Sequence, residues 1–144
     1  SRLRLAEIYL IYAEAVNEAY GPNGMHPGAN ITAIDAVNII RTRANMPNVD
    51  AQFTSSTEAF RERIRNERAV ELAFEAKRWY DIRRWYVAHL DEYKELYGLE
   101  FDKEHSYFRK VLLYTRTFDL KHYWFPFPTE QVTLYEGWKQ NAGW

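Results

Sequence analysis

Three glutamates stand where a helix in water should carry apolar residues. Along the stretch Phe60 to Glu75, at about 100° per residue, Glu67, Glu71 and Glu75 fall within about 40° of the mean direction of Phe60 and Ile64, on the side that faces a core. A carboxylate in that position is costly unless a charged donor meets it. Whatever this chain folds into must therefore bring arginine or lysine to that face. Arginines follow at once in Arg78-Trp79-Tyr80-Asp81-Ile82-Arg83-Arg84-Trp85, and a guanidinium fork is the natural partner of a desolvated carboxylate. The expectation is an internal network in which Arg78, Arg83 and Arg84 hold the acids and fix one helix turn against the next. Glycoside hydrolysis by paired carboxylates would need two acids facing each other across an open cleft, and consecutive turns of one helix do not supply that.

The rest of the first ninety residues also reads as helix. Leu5, Ile8, Tyr9, Tyr12, Ala15, Val16 and Ala19 recur at three- and four-residue steps, which predicts a helix from about Leu3 to Tyr20 with those residues on its buried side. Leu10 and Ile11 lie on the other side, and a helix apolar on two sides is sandwiched between neighbours. Gly21-Pro22-Asn23-Gly24 stops it, and Pro27-Gly28 keeps the chain irregular to about Ile31. Thr32 with Asp35 forms a capping pair for a second helix with Ala33, Val37, Ile40 and Ala44 buried, ending before Pro47. Ser55 with Glu58 reads as a second capping box, opening a third helix to Glu75 and a fourth from about Lys77 to Leu90. The offsets fit a degenerate tetratricopeptide-type helix pair with about a dozen residues inserted between its two helices.

Composition divides the chain. Of its 24 aromatic residues, 18 lie from Trp79 onward. There Tyr107 to Phe125 mixes β-branched, aromatic and basic residues without a helical stripe, which predicts extended or irregular chain. Phe125-Pro126-Phe127-Pro128 must be non-helical, because proline excludes the helical region for the residue before it, and Thr129 to Tyr135 suits one short helical piece. The fold class expected is mainly α, with tetratricopeptide-like antiparallel helix pairs and an irregular aromatic-rich carboxy-terminal segment. The expected organisation is one domain over residues 1–144, with 1–90 as helical scaffold and 91–144 as packing and loop segment.

Several function classes fall away. Nineteen Lys plus Arg balance twenty Asp plus Glu, so no broad basic surface for nucleic acid exists. Arg61, Arg63, Arg65 and Arg68 alternate with Glu58, Glu62 and Glu67 and read as a solvated helix face. Cysteine is absent, and none of His26, His89, His105 and His122 has a Glu-x-x-His or His-Glu-x-x-His relation to a glutamate, so no metal or other cofactor is expected. Gly-x-Ser-x-Gly and Gly-rich phosphate loops are missing too. The longest apolar run, Ile8 to Ala13, is far below the roughly 20 residues of a membrane span. Asn30-Ile31-Thr32 fits a glycosylation sequon, but Thr32 is better explained as a helix cap. Ser1 and Arg2 lead straight into a helical pattern, which suggests a piece of a longer protein.

Leu3-Arg4-Leu5-Ala6-Glu7-Ile8-Tyr9-Leu10-Ile11-Tyr12-Ala13-Glu14-Ala15, Val37-Asn38-Ile39-Ile40-Arg41-Thr42-Arg43-Ala44 and the stretch from Ile64 to Trp85 together resemble the carboxy-terminal part of the SusD/RagB family. So do Tyr123-Trp124-Phe125-Pro126-Phe127-Pro128 and the closing Gln140-Asn141-Ala142-Gly143-Trp144. Four positions depart from the family pattern: Ala76 stands where Gly is frequent, Phe125 and Phe127 flank the proline motif, and Ala142 replaces a Pro. The resemblance implies a tetratricopeptide-like scaffold without catalysis, in an outer-membrane, cell-surface lipoprotein of Bacteroidetes-type bacteria whose lipid anchor lies outside this chain. It implies capture of an oligosaccharide or similar nutrient and delivery to a SusC-like TonB-dependent transporter. The alternative function, from a different class, is a helical-repeat module that binds a peptide or protein. If this piece touches a sugar, the stretch Tyr86 to Tyr123 is the most site-like. Its Tyr93, Tyr97 and Tyr107 are the candidate ligand-binding residues, with Tyr114, Asp102, Glu104, Arg109 and Lys110 beside them.

Overall fold

The structure is a computed structural model that describes residues 3–144; Ser1 and Arg2 lie outside the described residues. The chain forms two compact units, one up to Arg78 and one from Trp79 to Trp144.

The first unit is built from α1 (Leu5–Tyr20), α2 (Ala33–Arg43) and α3 (Thr57–Glu71), with a 3-10 turn at Ala51–Thr54. α1 packs on both other helices. Their shared core holds Ala13, Val16, Ala33, Ala36, Val37, Phe60 and Ile64 and runs on through Ala6, Leu10, Ile40 and Leu72. Each large side chain so buried contributes roughly 1.5–3 kcal/mol. The buried face of α1 is a correction to the sequence reading. Ala6, Leu10, Ala13, Val16 and Asn17 face the core, whereas Leu5, Ile8, Ala15 and Ala19 face outward. Both sides of this helix are apolar, so periodicity alone could not choose between them.

The twelve residues from Gly21 to Thr32 fold back onto the start of α2, where the amides of Ala33 and Ile34 donate to Gly24 and Pro22 carbonyls and Tyr12 donates its hydroxyl to Ile31 O at 2.7 Å. Gly24 permits this turn, because a Cβ there would lie 2.4 Å from the Tyr20 carbonyl oxygen. α2 opens on the expected capping box: the Thr32 hydroxyl accepts from Asp35 N–H at 3.1 Å and the Asp35 carboxylate accepts from Thr32 N–H at 2.9 Å. Ala33, Val37 and Ile40 are buried as predicted, while Ala44 caps the helix and is exposed. The cap of α3 is displaced by one residue from the predicted Ser55. Ser56 accepts from Ala59 N–H at 3.1 Å, because Ser55 already closes the preceding 3-10 turn by donating to Gln52 O.

α3 ends at Glu71 and not at Glu75. Nothing local forces this, since neither Gly nor Pro stands there. The cause is Arg4, whose Nη2 donates to the Glu71 carbonyl oxygen at 2.8 Å. A continuing helix would offer that oxygen to Glu75 N–H, which bonds Leu72 O instead. The chain then passes through Phe74 (φ 64°) and Ala76 (φ 59°), both left-handed. The position where this chain has Ala and the resembled family has Gly is therefore one that Gly would occupy with less strain.

α4 (Lys77–Arg84) carries the chain into the second unit and stops six residues before the predicted end at Leu90. Tyr86 is left-handed at φ 59°, and the amides of Val87 and Ala88 both donate to Ile82 O, at 3.0 and 3.1 Å. That tuck buries Val87 and Ala88 with Ile82 and Phe118 in a small core. After α5 (Asp91–Lys94) come β1 (Glu95–Phe101) and β2 (Phe108–Thr115), an antiparallel hairpin; β2 lies within the stretch expected to be extended or irregular, and its pairing with β1 was not expected. Phe101 pairs with Phe108, Glu100 with Arg109 and Tyr97 with Leu112, and a bulge separates Leu96 from Tyr97. A 3-10 turn (Leu120–Tyr123) and α6 (Thr129–Leu134) follow, the latter where one short helical piece was expected.

The carboxy-terminal chain is held by side chains in place of a ladder. Gln140 accepts from Phe127 N–H at 2.7 Å and donates to Phe127 O at 2.9 Å, so its amide acts as a strand partner for one residue. Asn141 donates to Phe125 O, and the Trp144 indole N–H is shared between Lys121 O and Trp124 O. Prolines 126 and 128 have no N–H to offer a neighbouring strand, which is why donors come from the tail.

Candidate functional site

The glutamate stripe is paired as expected, but by other arginines. Glu67 Oε1 accepts from both Arg41 and Arg63, and Glu67 and Arg41 are about nine-tenths buried. Glu71 accepts from Arg4 at 3.0 Å and from Arg43 at 2.6 Å, and Glu75 pairs with Arg4 at 2.5 Å. The hydrogen bond that Arg4 donates to Glu75, followed by the one it donates to Glu71, holds its guanidinium above its ordinary pKa. Arg41 and Arg43 come from the last turn of α2, so the network ties α2 to α3 and the residue before α1 to the end of α3. Of the predicted partners, Arg84 donates to Asp81 at 2.9 Å, and Arg83 donates to His122 O and Tyr123 O at 2.9 and 2.7 Å. The reading of the α3 arginines as one solvated face also needs correction: Arg68 is buried and Arg63 belongs to the network, while Arg61 forms a fork on Glu18 and Arg65 pairs with Glu62. Arg63 stands four residues before Glu67, a spacing visible in the sequence, and Arg41 and Arg43 stand together near a helix end; nothing local singles out Arg4.

A cavity of about 240 Å³ opens beside this network, lined by Ile40, Met46, Val70, Arg63 and Glu67 among others. Its acids are already neutralised by arginines, and they lie on neighbouring turns of α3. Such a set fixes helices and offers neither a nucleophile nor a pair of acids across a cleft. Among the described residues no group of three His, Cys, Asp or Glu is placed to hold a metal ion. No described helix is long and apolar enough to cross a membrane.

The candidate tyrosines all lie in the second unit. Tyr93, on α5, is half-buried against the cluster of Ile82, Val87, Ala88 and Phe118. Tyr97 and Tyr107 are exposed, and the hairpin register sends them to opposite faces. On one face Lys110 Nζ lies 3.7 Å from the Tyr97 ring centroid, and the Tyr97 hydroxyl donates to Glu95, which raises the phenol's pKa. Leu99, Phe101, Phe108 and Leu112 continue that face, all exposed. On the other, Tyr107 donates to Glu100 at 3.4 Å, and Arg109 bonds the same carboxylate at 2.9 Å. The turn between the strands is fixed by Asp102, which accepts from the Ser106 amide and hydroxyl; those bonds, the hydroxyl's first, hold its carboxyl below the ordinary range. The arrangement gives one ring with a cation above it and, separately, a ring beside a carboxylate and guanidinium.

Around Arg83 the remaining aromatics pack on one another. Its guanidinium lies 5.2 Å from the Trp79 ring centroid and 5.0 Å from that of Phe125, and Trp79 meets Phe118 edge-on at 5.9 Å. Trp85 is half-buried against the Phe118 cluster. Trp79 keeps 42% of its surface exposed while its ring meets Phe118 and Arg83.

The sequence profile of the SusD family matches residues 1–144, and this chain belongs to that family. It is similar to two proteins of Formosa agariphila: SusD-like protein P2, 38% identical over an 87-residue alignment that covers 57% of this chain and 16% of P2, and SusD-like protein P25, 40% identical over 83 residues, 57% of this chain and 14% of P25. Among solved structures it is similar to a SusD-like protein from Bacteroides fragilis, with 36% identity and a TM-score of 0.74, over 99% of this chain and 25% of that one. The chain therefore spans about a quarter of the solved relative's length and a smaller share of the curated relatives. The mainly α, tetratricopeptide-like fold class stands with the family.

Proposed function

We propose that this chain is part of a non-catalytic protein that captures glycan at the outer membrane and passes it to a SusC-like TonB-dependent transporter. The observation that carries this reading is membership of the SusD family along the whole chain. In this reading the protein reaches the cell surface through a lipid anchor outside residues 1–144, and the first unit is scaffold. The second unit offers sugar-facing rings. Tyr107, with Glu100 and Arg109 to take hydroxyls, is the best-equipped of the three candidates, Tyr97 offers the ring face not covered by Lys110, and Tyr93 lies closest to the core. Capture then rests on stacking and hydrogen bonds, and no bond is broken. The engagement of Glu67 and Glu71 by arginines, on neighbouring turns of one helix, supports the absence of turnover.

A glycan array on the full-length protein, followed by a reducing-end assay on each hit, tests the proposal. Binding to at least one glycan without release of reducing ends is the expected result. Release that vanishes on Glu67→Gln or Glu71→Gln would overturn the non-catalytic reading, and an array without hits would overturn glycan capture.

A further inference from the structure

Of the eight asparagines in this chain, Asn23 is the one followed by glycine. Glycine has no Cβ to shield its amide nitrogen, so the carboxamide carbon of a preceding asparagine is open to attack by that nitrogen, and asparagine is among the thermolabile residues. Here the pair closes the turn that ends α1. Gly24 N–H donates to Gly21 O at 3.0 Å, and Gly24 O accepts from Ala33 N–H at 3.2 Å. Pro22 O accepts from Ile34 N–H at 3.2 Å, so both neighbours of Asn23 are anchored to the first turn of α2. Gly24 is also pressed against the last turn of α1, where a Cβ on it would lie 2.3 Å from Tyr20 Cβ. Asn23 itself is exposed to solvent.

We propose that Asn23 is a deamidation site gated by the connector from Gly21 to Thr32, held unreacted while the connector is closed and converted to isoaspartate or aspartate when it opens. The Gly24 nitrogen bonds to Asn23 Cγ, the Cγ–Nδ2 bond breaks, and the proton given up by the amide leaves with the ammonia. Water then opens the resulting five-membered imide at either of its carbonyls, and no electron transfer is involved. The closed turn opposes the first step twice. An amide whose hydrogen is held by a carbonyl gives it up less readily, and its nitrogen cannot swing onto Cγ unless Gly24 lifts off Tyr20. In the folded protein the rate is therefore set by how often the connector opens. The isoaspartate product does not fit back. It lengthens the main chain by a methylene and adds a negative charge, so the turn and the two bonds to Ala33 and Ile34 cannot all reform, and α2 loses the anchor of its first turn. The conversion is a one-way loosening of the link between α1 and α2.

The full-length protein is kept in native buffer and in guanidinium chloride at one mildly alkaline pH, and isoaspartate and aspartate at residue 23 are followed over days by peptide mass spectrometry with isoaspartyl methylation. Tyr12→Phe is run beside it, because it removes the hydroxyl that holds Ile31 O at 2.7 Å and loosens the connector without touching the reacting pair. The expected result is conversion at least about 30-fold slower in native buffer than in denaturant, with Tyr12→Phe severalfold faster than the parent in native buffer and equal to it in denaturant. Native conversion within about threefold of the denatured rate would show an ungated site and overturn the proposal. Absence of conversion at residue 23 in denaturant would show that there is no site. Tyr12→Phe, folded and converting at the parent's native rate, would overturn the assignment of the gate to the connector. If Tyr12→Phe does not fold, the ratio of native to denatured rates in the parent decides. The readout involves no glycan and stands apart from the fate of the capture proposal.

Discussion

The two units solve the same problem, satisfying polar groups away from water, by opposite means. Up to Arg78 the backbone bonds itself in helices, and the polar groups left over are side-chain charges, which arginines from the ends of neighbouring elements neutralise. From Trp79 onward much of the backbone has no ladder, and side chains do the work of one: Arg83 on two carbonyls, Gln140 on both groups of Phe127, Trp144 on two more carbonyls. A charge network makes a scaffold whose loss is global. A set of side-chain clips makes a surface in which loops and rings are held one by one.

That contrast is broken most strongly at Glu67. Glu67→Ala leaves Arg41 buried without its carboxylate and is expected to cost about 3 kcal/mol of global stability, read by urea unfolding of the full-length protein. A change below about 0.5 kcal/mol would make the network ornamental. Arg83→Ala is next. It removes two charge-assisted bonds to the 122–123 backbone and contacts to Trp79 and Phe125, about 2 kcal/mol, and the loss should be local. Hydrogen exchange should show faster amides around 118–127 with protection in α1 to α3 unchanged; protection lost uniformly across both units would erase the distinction.

Much of the first unit was legible in advance. Thr32 and Asp35 announced a helix start, Gly21-Pro22 a helix end, and the acid stripe announced a charge network, because each is a local pattern with a local cause. The partners of that network were not legible. Arg4 lies 67 residues from Glu71, and no spacing rule reaches that far. For the same reason the end of α3 was misplaced, since a tertiary contact stops it. The buried face of α1 was ambiguous in principle, with two apolar faces and only one neighbour set in this unit. In the second unit β2 falls in a stretch read as extended or irregular, but β1 and the pairing were not legible, because Tyr97, Leu99 and Phe101 on one face and Leu96, Val111 and Leu113 on the other erase the alternation that marks a strand. The candidate tyrosines were named from composition and position, which say nothing of the face to which each ring turns.

Two smaller changes sharpen the account of the first unit. Ala76→Gly relieves a left-handed residue and should stabilise the protein by about 0.5–1 kcal/mol in thermal unfolding; destabilisation would mean that the bend after α3 is not strained. Asp35→Asn tests the cap of α2. The Thr32 amide, and after it the Thr32 hydroxyl, hold the Asp35 pKa below its unfolded value, so the carboxylate's contribution is present above the ordinary carboxyl pKa and lost as pH falls through the depressed one. The stability gap between parent and Asp35→Asn should be about 1 kcal/mol or less near neutrality and close in acid; a gap that widens in acid would contradict the assignment.

In the proposed function the residues before Trp79 are scaffold and the surface after it faces sugar. Calorimetric titration of the full-length protein with its best array hit, comparing Tyr93→Ala, Tyr97→Ala and Tyr107→Ala with the parent, tests it most directly. The account predicts that Tyr107→Ala weakens binding by roughly 1–3 kcal/mol, by analogy with bases stacked on aromatic rings, with the melting temperature nearly unchanged. All three variants binding as the parent does would contradict it and leave these 144 residues as scaffold throughout.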